Sequence, residues 1–511
     1  MNVARPLSGI KPQVTTSIMA SATSATTLLV IFRLSVEETS VSAVGVWALL
    51  QGLFIVTRVA GTGLGANITR HVAVVTRHKG TLQLRPLLQA SLLLGTVPVV
   101  ALSLICFLPI VGFVTRRYAD VVSSQEIALL GLACVFSGIL STLALTLLAI
   151  CEGAGNLSVV NLVVITSYVF GLGTIYPALL VFDVVGIGVT YVVMAVTQFV
   201  LAAILVVRYK RRLCVAESCT TTRDVLHQLR VESTQLTTVG MLRLSFEPVT
   251  KLVLSFVGGL PALAVFDLAL RIATQMRVLV QAGSQPLLVY AARAGTAERA
   301  EISRTFGLGQ SFVSRLAIMT FTVALVAAPA LSVVGLGRLE KTFTLYFGVL
   351  AFGNALNSLG LMGYFFQLSS GALRPLLQIH FHMAMINLSA GLLLGYLFNG
   401  TGVVVGYAMT LGYGGLCASR LLPRQARQSS GRSELRNHTP WLLAGGGAIF
   451  WLLLIGISPP VASTTLWISI LLTIVTTALV ARSVCRAFKG LNPSLLAPPE
   501  SGTSSRSDVP E

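Results

Sequence analysis

The feature that most constrains this chain is the length of its apolar runs: between residues 14 and 481, stretches of about 20 residues recur with almost no charge inside them. Bilayer hydrocarbon is about 30 Å thick and an α-helix rises about 1.5 Å per residue, so a run of that length crosses a membrane as a helix. The runs lack period-two alternation, which argues for helices and against an outer-membrane barrel. Spans are expected at 14–34, 42–66, 86–114, 126–150, 157–181, 184–207, 236–259, 262–290, 309–333, 342–366, 374–396, 400–419, 440–458 and 464–481, fourteen in all. A chain with 54% hydrophobic and 11% charged residues lies outside the range of soluble globular domains. The first span is too long for a cleavable signal and is followed at once by a second.

Lys and Arg set the expected orientation, because cytoplasmic loops are enriched in both. With the N-terminus inside, the cytoplasmic segments carry 25 of the 36 basic residues, and the opposite loops carry Arg33, Arg116, Arg117, Arg338 and Lys341. Both termini are therefore expected in the cytoplasm. The net charge of +18 is explained by these loops lying beside anionic lipid, with no need for a nucleic-acid partner.

No soluble domain interrupts the spans. The expected organisation is a six-helix lobe (1–207), a basic cytoplasmic linker (208–235), a second six-helix lobe (236–419), a basic cytoplasmic loop (420–439), an accessory helix pair (440–485) and a Pro/Ser-rich disordered tail (486–511). The fold class is all-α polytopic membrane protein, with two lobes of like orientation around a central cavity. No Walker A loop is present, so any transport is secondary or runs downhill. No Cys/His set has metal-ligand spacing, no cofactor motif appears, and no enzymatic activity is expected. His380 and His382 are two apart, so at most one of them lines a cavity.

Six basic residues remain inside spans, and they are the sequence's strongest functional signal. Arg243, Glu247 and Lys251 lie at i, i+4 and i+8 on one stripe of the seventh span, where Pro248 can introduce a kink. Asp267 and Arg271 are i, i+4 partners in the eighth, with Arg277 on another part of its surface. Arg315, near a cytoplasmic end, is placed to snorkel. A charge at the bilayer centre costs at least about 2.5–3.5 kcal/mol, so these residues face a watery cavity or one another. Arg58, Arg243, Lys251, Arg271 and Arg277 outnumber Glu247 and Asp267, and a cationic surplus calls for an anion. Guanidinium groups bind phosphate through forked, charge-assisted hydrogen bonds. Sliding residues 46–73 by 219 positions onto 265–292 superposes Arg58 on Arg277, as a repeat of two lobes would.

Three stretches, "GVWALLQGLFIVTRVAGTGLGANITRHVA" (45–73), "LAICEGAGNLSVVNLVVI" (148–165) and "VFDLALRIATQMRVLVQAGSQPLLVYAAR" (265–293), resemble the bacterial O-antigen and polysaccharide flippases. These belong to the multidrug/oligosaccharidyl-lipid/polysaccharide exporter superfamily. The resemblance implies twelve or fourteen helices in two lobes, cationic residues in helices one, two, seven and eight, and transfer of undecaprenyl-pyrophosphate-linked glycans across the bacterial inner membrane. It makes Arg58, Arg243, Lys251, Arg271 and Arg277 the substrate-binding set, with Glu247 and Asp267 orienting them or coupling an ion. Helix one departs from the pattern, since its middle carries only hydroxyls.

The expected function is thus a flippase for a polyprenyl-pyrophosphate-linked oligosaccharide, working by alternating access. Its partners would be the anionic lipid-linked glycan, membrane lipid, a polysaccharide polymerase, glycosyltransferases and a coupling ion. Gly61, Gly63, Gly65 and Pro248 are the expected flexible points. A proton- or sodium-coupled multidrug exporter is the main alternative, and would require unpaired intramembrane acids. A non-transporting scaffold for glycan-assembly enzymes is the third.

Overall fold

The computed structural model describes residues 10–58, 64–65, 67–69, 71–72, 84–210, 222–293, 299–370 and 373–423. The accessory pair at 440–485, the tail and most of the basic loop at 420–439 lie outside the described residues, as do Gly61 and Gly63. Among the described residues there is no strand.

The first lobe runs α1 (Ile10–Glu38), α2 (Val41–Phe54, tightening into a 3-10 turn at Ile55–Arg58), α3 (Leu84–Ser91, through a π turn at Leu92–Thr96, into Val97–Tyr118), α4 (Ser124–Gly153), α5 (Leu157–Phe182) and α6 (Val185–Lys210). The second runs α7 (Thr222–Val257), α8 (Gly259–Arg293), α9 (Arg299–Leu336), α10 (Lys341–Leu359, then Leu361–Ser370), α11 (374–397) and α12 (400–419). The two pieces of α10 meet at 43°. Eight of the described helices are long and apolar enough to cross a membrane, or nine with the bent α10. One of the eight, Arg374–Ser419, is the α11–α12 pair meeting at a non-helical Phe398 and Asn399. α7 and α8 have the length for a crossing, but the buried charges interrupt their apolar character.

Most expected spans coincide with these helices, and three differ. α7 starts at Thr222, inside the expected linker, because hydropathy marks the part of a helix that lipid covers and not the polar turns beyond it. α9 extends in the same way, to Arg299. α2 tightens just before Arg58 instead of running on as an α-helix. Capping fixes some starts: Ser40 accepts from the Ala43 amide ahead of α2, and Ser123 and Glu126 form a reciprocal box ahead of α4.

Within the first lobe α4 and α5 pack on α6, and α1 packs on α5; within the second, α10 packs on α8, α9 and the α11–α12 run. The lobes meet where α1 and α2 lie against α8, and α2 and the start of α3 against α7. Leu49 and Leu50 of α2 and Leu263 and Phe266 of α8 are fully buried along this seam. Lipid supplies no hydrophobic drive between helices, so close packing of small residues matters more. Gly45 shows it: a Cβ there would stand 2.5 Å from the Leu260 carbonyl oxygen of α8.

The two lobes share one corner geometry. At the α5–α6 corner Asp183 has φ 49° and ψ −134°, and at the α11–α12 corner Asn399 has φ 54° and ψ −144°. Asp and Asn are the residues, after Gly, that best tolerate positive φ. Three residues after each, Gly186 and Gly402 press on the carbonyl groups of Ala178 and Leu394. The sequences "FDVVGIG" (182–188) and "FNGTGVV" (398–404) therefore occupy equivalent corners, 216 residues apart.

Candidate functional site

The buried charges separate into two groups at different depths. Nearer the α7–α8 junction, Lys251, wholly buried, sits 2.6 Å from both Glu247 and Asp267. Asp267 gives its second oxygen to Arg271 Nε, also at 2.6 Å. Arg271 then leaves its own lobe: Nη1 donates to the Tyr191 hydroxyl of α6 at 3.0 Å, and Nη2 to Gln51 Oε1 of α2. The guanidinium also lies over the Tyr191 ring, which packs 5.1 Å from Trp47. Gly52 makes room for the lysine, because a Cβ there would stand 2.5 Å from Lys251 Cδ. Two cations and two anions balance in this cluster, and it ties α7 and α8 to α2 and α6.

Further along the same helices the second lobe lines an open cavity of about 300 Å³. At about 1.5 Å per residue, Arg243 and Arg277 lie some 20 Å or more from the junction, about twice as deep as Lys251 and Asp267. Its walls are Arg243 and Glu247 of α7, Thr274, Arg277 and Gln281 of α8, Asn354, Asn357 and Tyr364 of α10, His380 of α11 and Tyr407 of α12. Arg277 Nη1 donates to Asn357 Oδ1 at 3.3 Å, and Asn357 Nδ2 donates to the Leu411 carbonyl at 3.0 Å. Arg277 Nε and His380 Nδ1 are buried with no hydrogen-bond partner among the described residues. His380 stands beside the rings of Phe246 and Tyr364. His382 faces elsewhere and meets the Tyr413 hydroxyl at 3.2 Å, so the two-residue spacing does separate the histidines.

Arg58 lies in the first lobe, at the end of the 3-10 turn, with its guanidinium against Gly138 of α4. Glu247 is within its electrostatic reach. The 219-residue offset that maps Arg58 onto Arg277 also maps Gly138 onto Asn357, so each arginine meets the same position on the fourth helix of its lobe. The structure thus gathers Arg243, Glu247 and Arg277 on one cavity. It gathers Lys251, Asp267 and Arg271 in the inter-lobe cluster, with Glu247 shared, and leaves Arg58 across the lobe boundary. Among the described residues no carboxylate forms an ion pair with Arg58, Arg243 or Arg277.

Asn357, Tyr191 and Gln51 were not anticipated from sequence. Their signal was available for Gln51, a lone amide inside "VWALLQGLF", and for Asn357, through the repeat offset. Among the described residues no group of three or more His, Cys, Asp or Glu side chains could hold a metal. Pro248 is carried inside α7 without breaking it.

No family model and no curated protein sequence matches the chain. Solved structures do. A point mutant of the Vibrio cholerae MATE transporter VcmN is similar over 84% of this chain and 97% of its own, with TM-score 0.59 and 16% identity. The lipid II flippase MurJ in an inward closed conformation is similar over 91% and 99%, with TM-score 0.57 and 9% identity. A Pyrococcus furiosus transporter of the MOP (multidrug/oligosaccharidyl-lipid/polysaccharide exporter) superfamily, described as having a binding pocket of reverse polarity, is similar over 82% and 96%, with TM-score 0.58 and 14% identity. The chain has the MOP-superfamily fold. In that fold the inter-lobe cluster occupies the seam, and the cavity occupies one lobe.

Proposed function

We propose that this MOP-fold protein is a flippase that carries a polyprenyl-pyrophosphate-linked oligosaccharide from the cytoplasmic to the outer leaflet of the bacterial inner membrane, for assembly of O-antigen, capsule or exopolysaccharide. The observation that carries this reading is the division of charge. Glu247 and Asp267 are both taken up by Lys251 and Arg271, which leaves Arg243 and Arg277 uncompensated on the cavity wall. An anion is the natural complement to two unpaired guanidiniums in a site of low dielectric. Amide and hydroxyl groups from Gln281, Asn354, Tyr364 and Tyr407 suit a sugar on the same wall. In this reading Arg243 and Arg277 hold the pyrophosphate, Arg58 supplies a cation from the other lobe, and Lys251, Asp267 and Arg271 tether the lobes. The polyprenyl tail stays in lipid, because only the head group has polar atoms that hydrocarbon would leave unsatisfied. Glycosyltransferases would supply the substrate and a polymerase would consume it.

The fold is equally that of MATE transporters, so the choice between a lipid-linked glycan and a cationic drug rests on this charge balance. Reconstituted protein with labelled lipid-linked glycan, read leaflet by leaflet, tests it. Arg277→Ala and Arg243→Ala should each reduce transfer at least about tenfold at normal abundance, the loss of one charge-assisted contact. Arg277→Lys should recover only part of it, because ammonium keeps the charge without the planar fork. Normal transfer by Arg277→Ala at wild-type abundance would overturn the proposal.

A further inference from the structure

Arg277 and its repeat mate Arg58 are held differently, and the difference says how the anion is gripped. Arg58 lies on Gly138, which has no side chain to orient it, and no hydrogen bond among the described residues fixes its guanidinium. At the equivalent place in the second lobe stands Asn357, whose Oδ1 accepts from Arg277 Nη1. The amide itself cannot rotate freely, since its Nδ2 is committed to the Leu411 carbonyl of α12. One edge of the guanidinium is therefore anchored through two successive hydrogen bonds to a helix backbone. Nε, on the edge away from Nη1, is buried in the cavity wall and has no partner among the described residues.

A guanidinium has five N–H donors in a fixed plane, and its Nε–Nη2 edge matches the spacing of two oxygens on one phosphoryl group. We infer that Asn357 is a positioning residue: it holds Arg277 so that the Nε–Nη2 edge takes one phosphoryl group of a diphosphate diester in a fork, while Arg243 takes the other. The second lobe thereby binds the anion in a fixed orientation, and Arg58 joins without a preset one. The inference rests on the flippase reading of the same cavity, and it adds the residue that sets the binding geometry.

Binding of farnesyl-diphosphoryl-N-acetylglucosamine, a short-chain lipid-linked sugar, to the purified full-length chain measures it by calorimetry. Asn357→Ala should weaken binding about tenfold, the magnitude of one lost charge-assisted orientation. Asn357→Asp should weaken it further, because a carboxylate at that place pairs with the cation meant for the ligand. In an Arg277→Lys background, which has no planar edge to orient, Asn357→Ala should have no additional effect. A residue that merely packs would weaken binding equally in both backgrounds, and that result overturns the inference while leaving the flippase reading intact. Failure of the wild-type chain to bind the probe overturns both. If Asn357→Ala does not fold, the similarly sized but apolar Asn357→Leu variant, which cannot accept from Arg277, is compared in the two backgrounds, and equal losses there again overturn it.

Discussion

Asp267 is the residue on which the buried charges turn. It is 3% exposed and neutralises two cations at once, so its loss strands a wholly buried Lys251 together with Arg271. Removing one partner of a buried pair costs about 3–5 kcal/mol, whereas replacing the whole set by apolar groups of similar shape is often neutral. Asp267→Asn should therefore lower the amount of folded protein in the membrane and the melting temperature in detergent. Adding Lys251→Met should restore part of both. If Asp267→Asn keeps wild-type stability but loses transport, the cluster belongs to ion coupling and not to the tether. Residue types alone indicated that these charges face inward; they did not show that Arg271 reaches Gln51 and Tyr191, because that partnership depends on how the lobes pack.

At the scale of elements, helix corners carry the repeat that the sequence barely shows. Gly186 and Gly402 each press on a carbonyl of the preceding helix, and a methyl group at either would stand inside contact distance of backbone that cannot yield. Gly186→Ala and Gly402→Ala should each destabilise by about 1–3 kcal/mol or more, the usual cost of overpacking. Gly173→Ala, where a Cβ meets nothing within 4 Å, should be neutral or slightly stabilising. Thermal unfolding of the three variants in one detergent checks the contrast. Span positions were legible because bilayer thickness imposes a length on every apolar run. The polar extensions of α7 and α9 were not, since helix continuing into water leaves no hydropathy mark. The Arg58–Arg277 correspondence could be read from a shared rare residue, whereas the corner repeat needed the backbone angles of Asp183 and Asn399 to be noticed. The cavity was illegible in outline, because its wall draws a few residues from each of five helices spread between residues 243 and 418.

At the scale of the whole molecule, the lobes touch where the start of α3 lies against α7 and again at the opposite end, where α1 turns into α2 and α7 into α8. Gly45 abuts Leu260, the Tyr118 hydroxyl donates to the Ser255 carbonyl at 3.2 Å, and the rings of Phe113 and Phe256 pack at 6.0 Å. In the orientation proposed from the loop charges this end faces outward, so transfer to the outer leaflet requires these contacts to part. Phe113 belongs to α3 of the first lobe and Phe256 to α7 of the second, which makes the pair a place to lock that motion. In a chain with its seven cysteines replaced, Phe113→Cys and Phe256→Cys should react together with a short bifunctional thiol reagent. Transfer of lipid-linked glycan should then fall to background, and the uncross-linked double variant should retain it. A cleavable version of the reagent should return activity on reduction, separating a lock from damage. A scaffold would support glycan assembly equally well locked and unlocked. Undiminished transfer by fully cross-linked protein would show that this end need not open, and the rocking of two rigid lobes would have to be abandoned as the way the head group crosses.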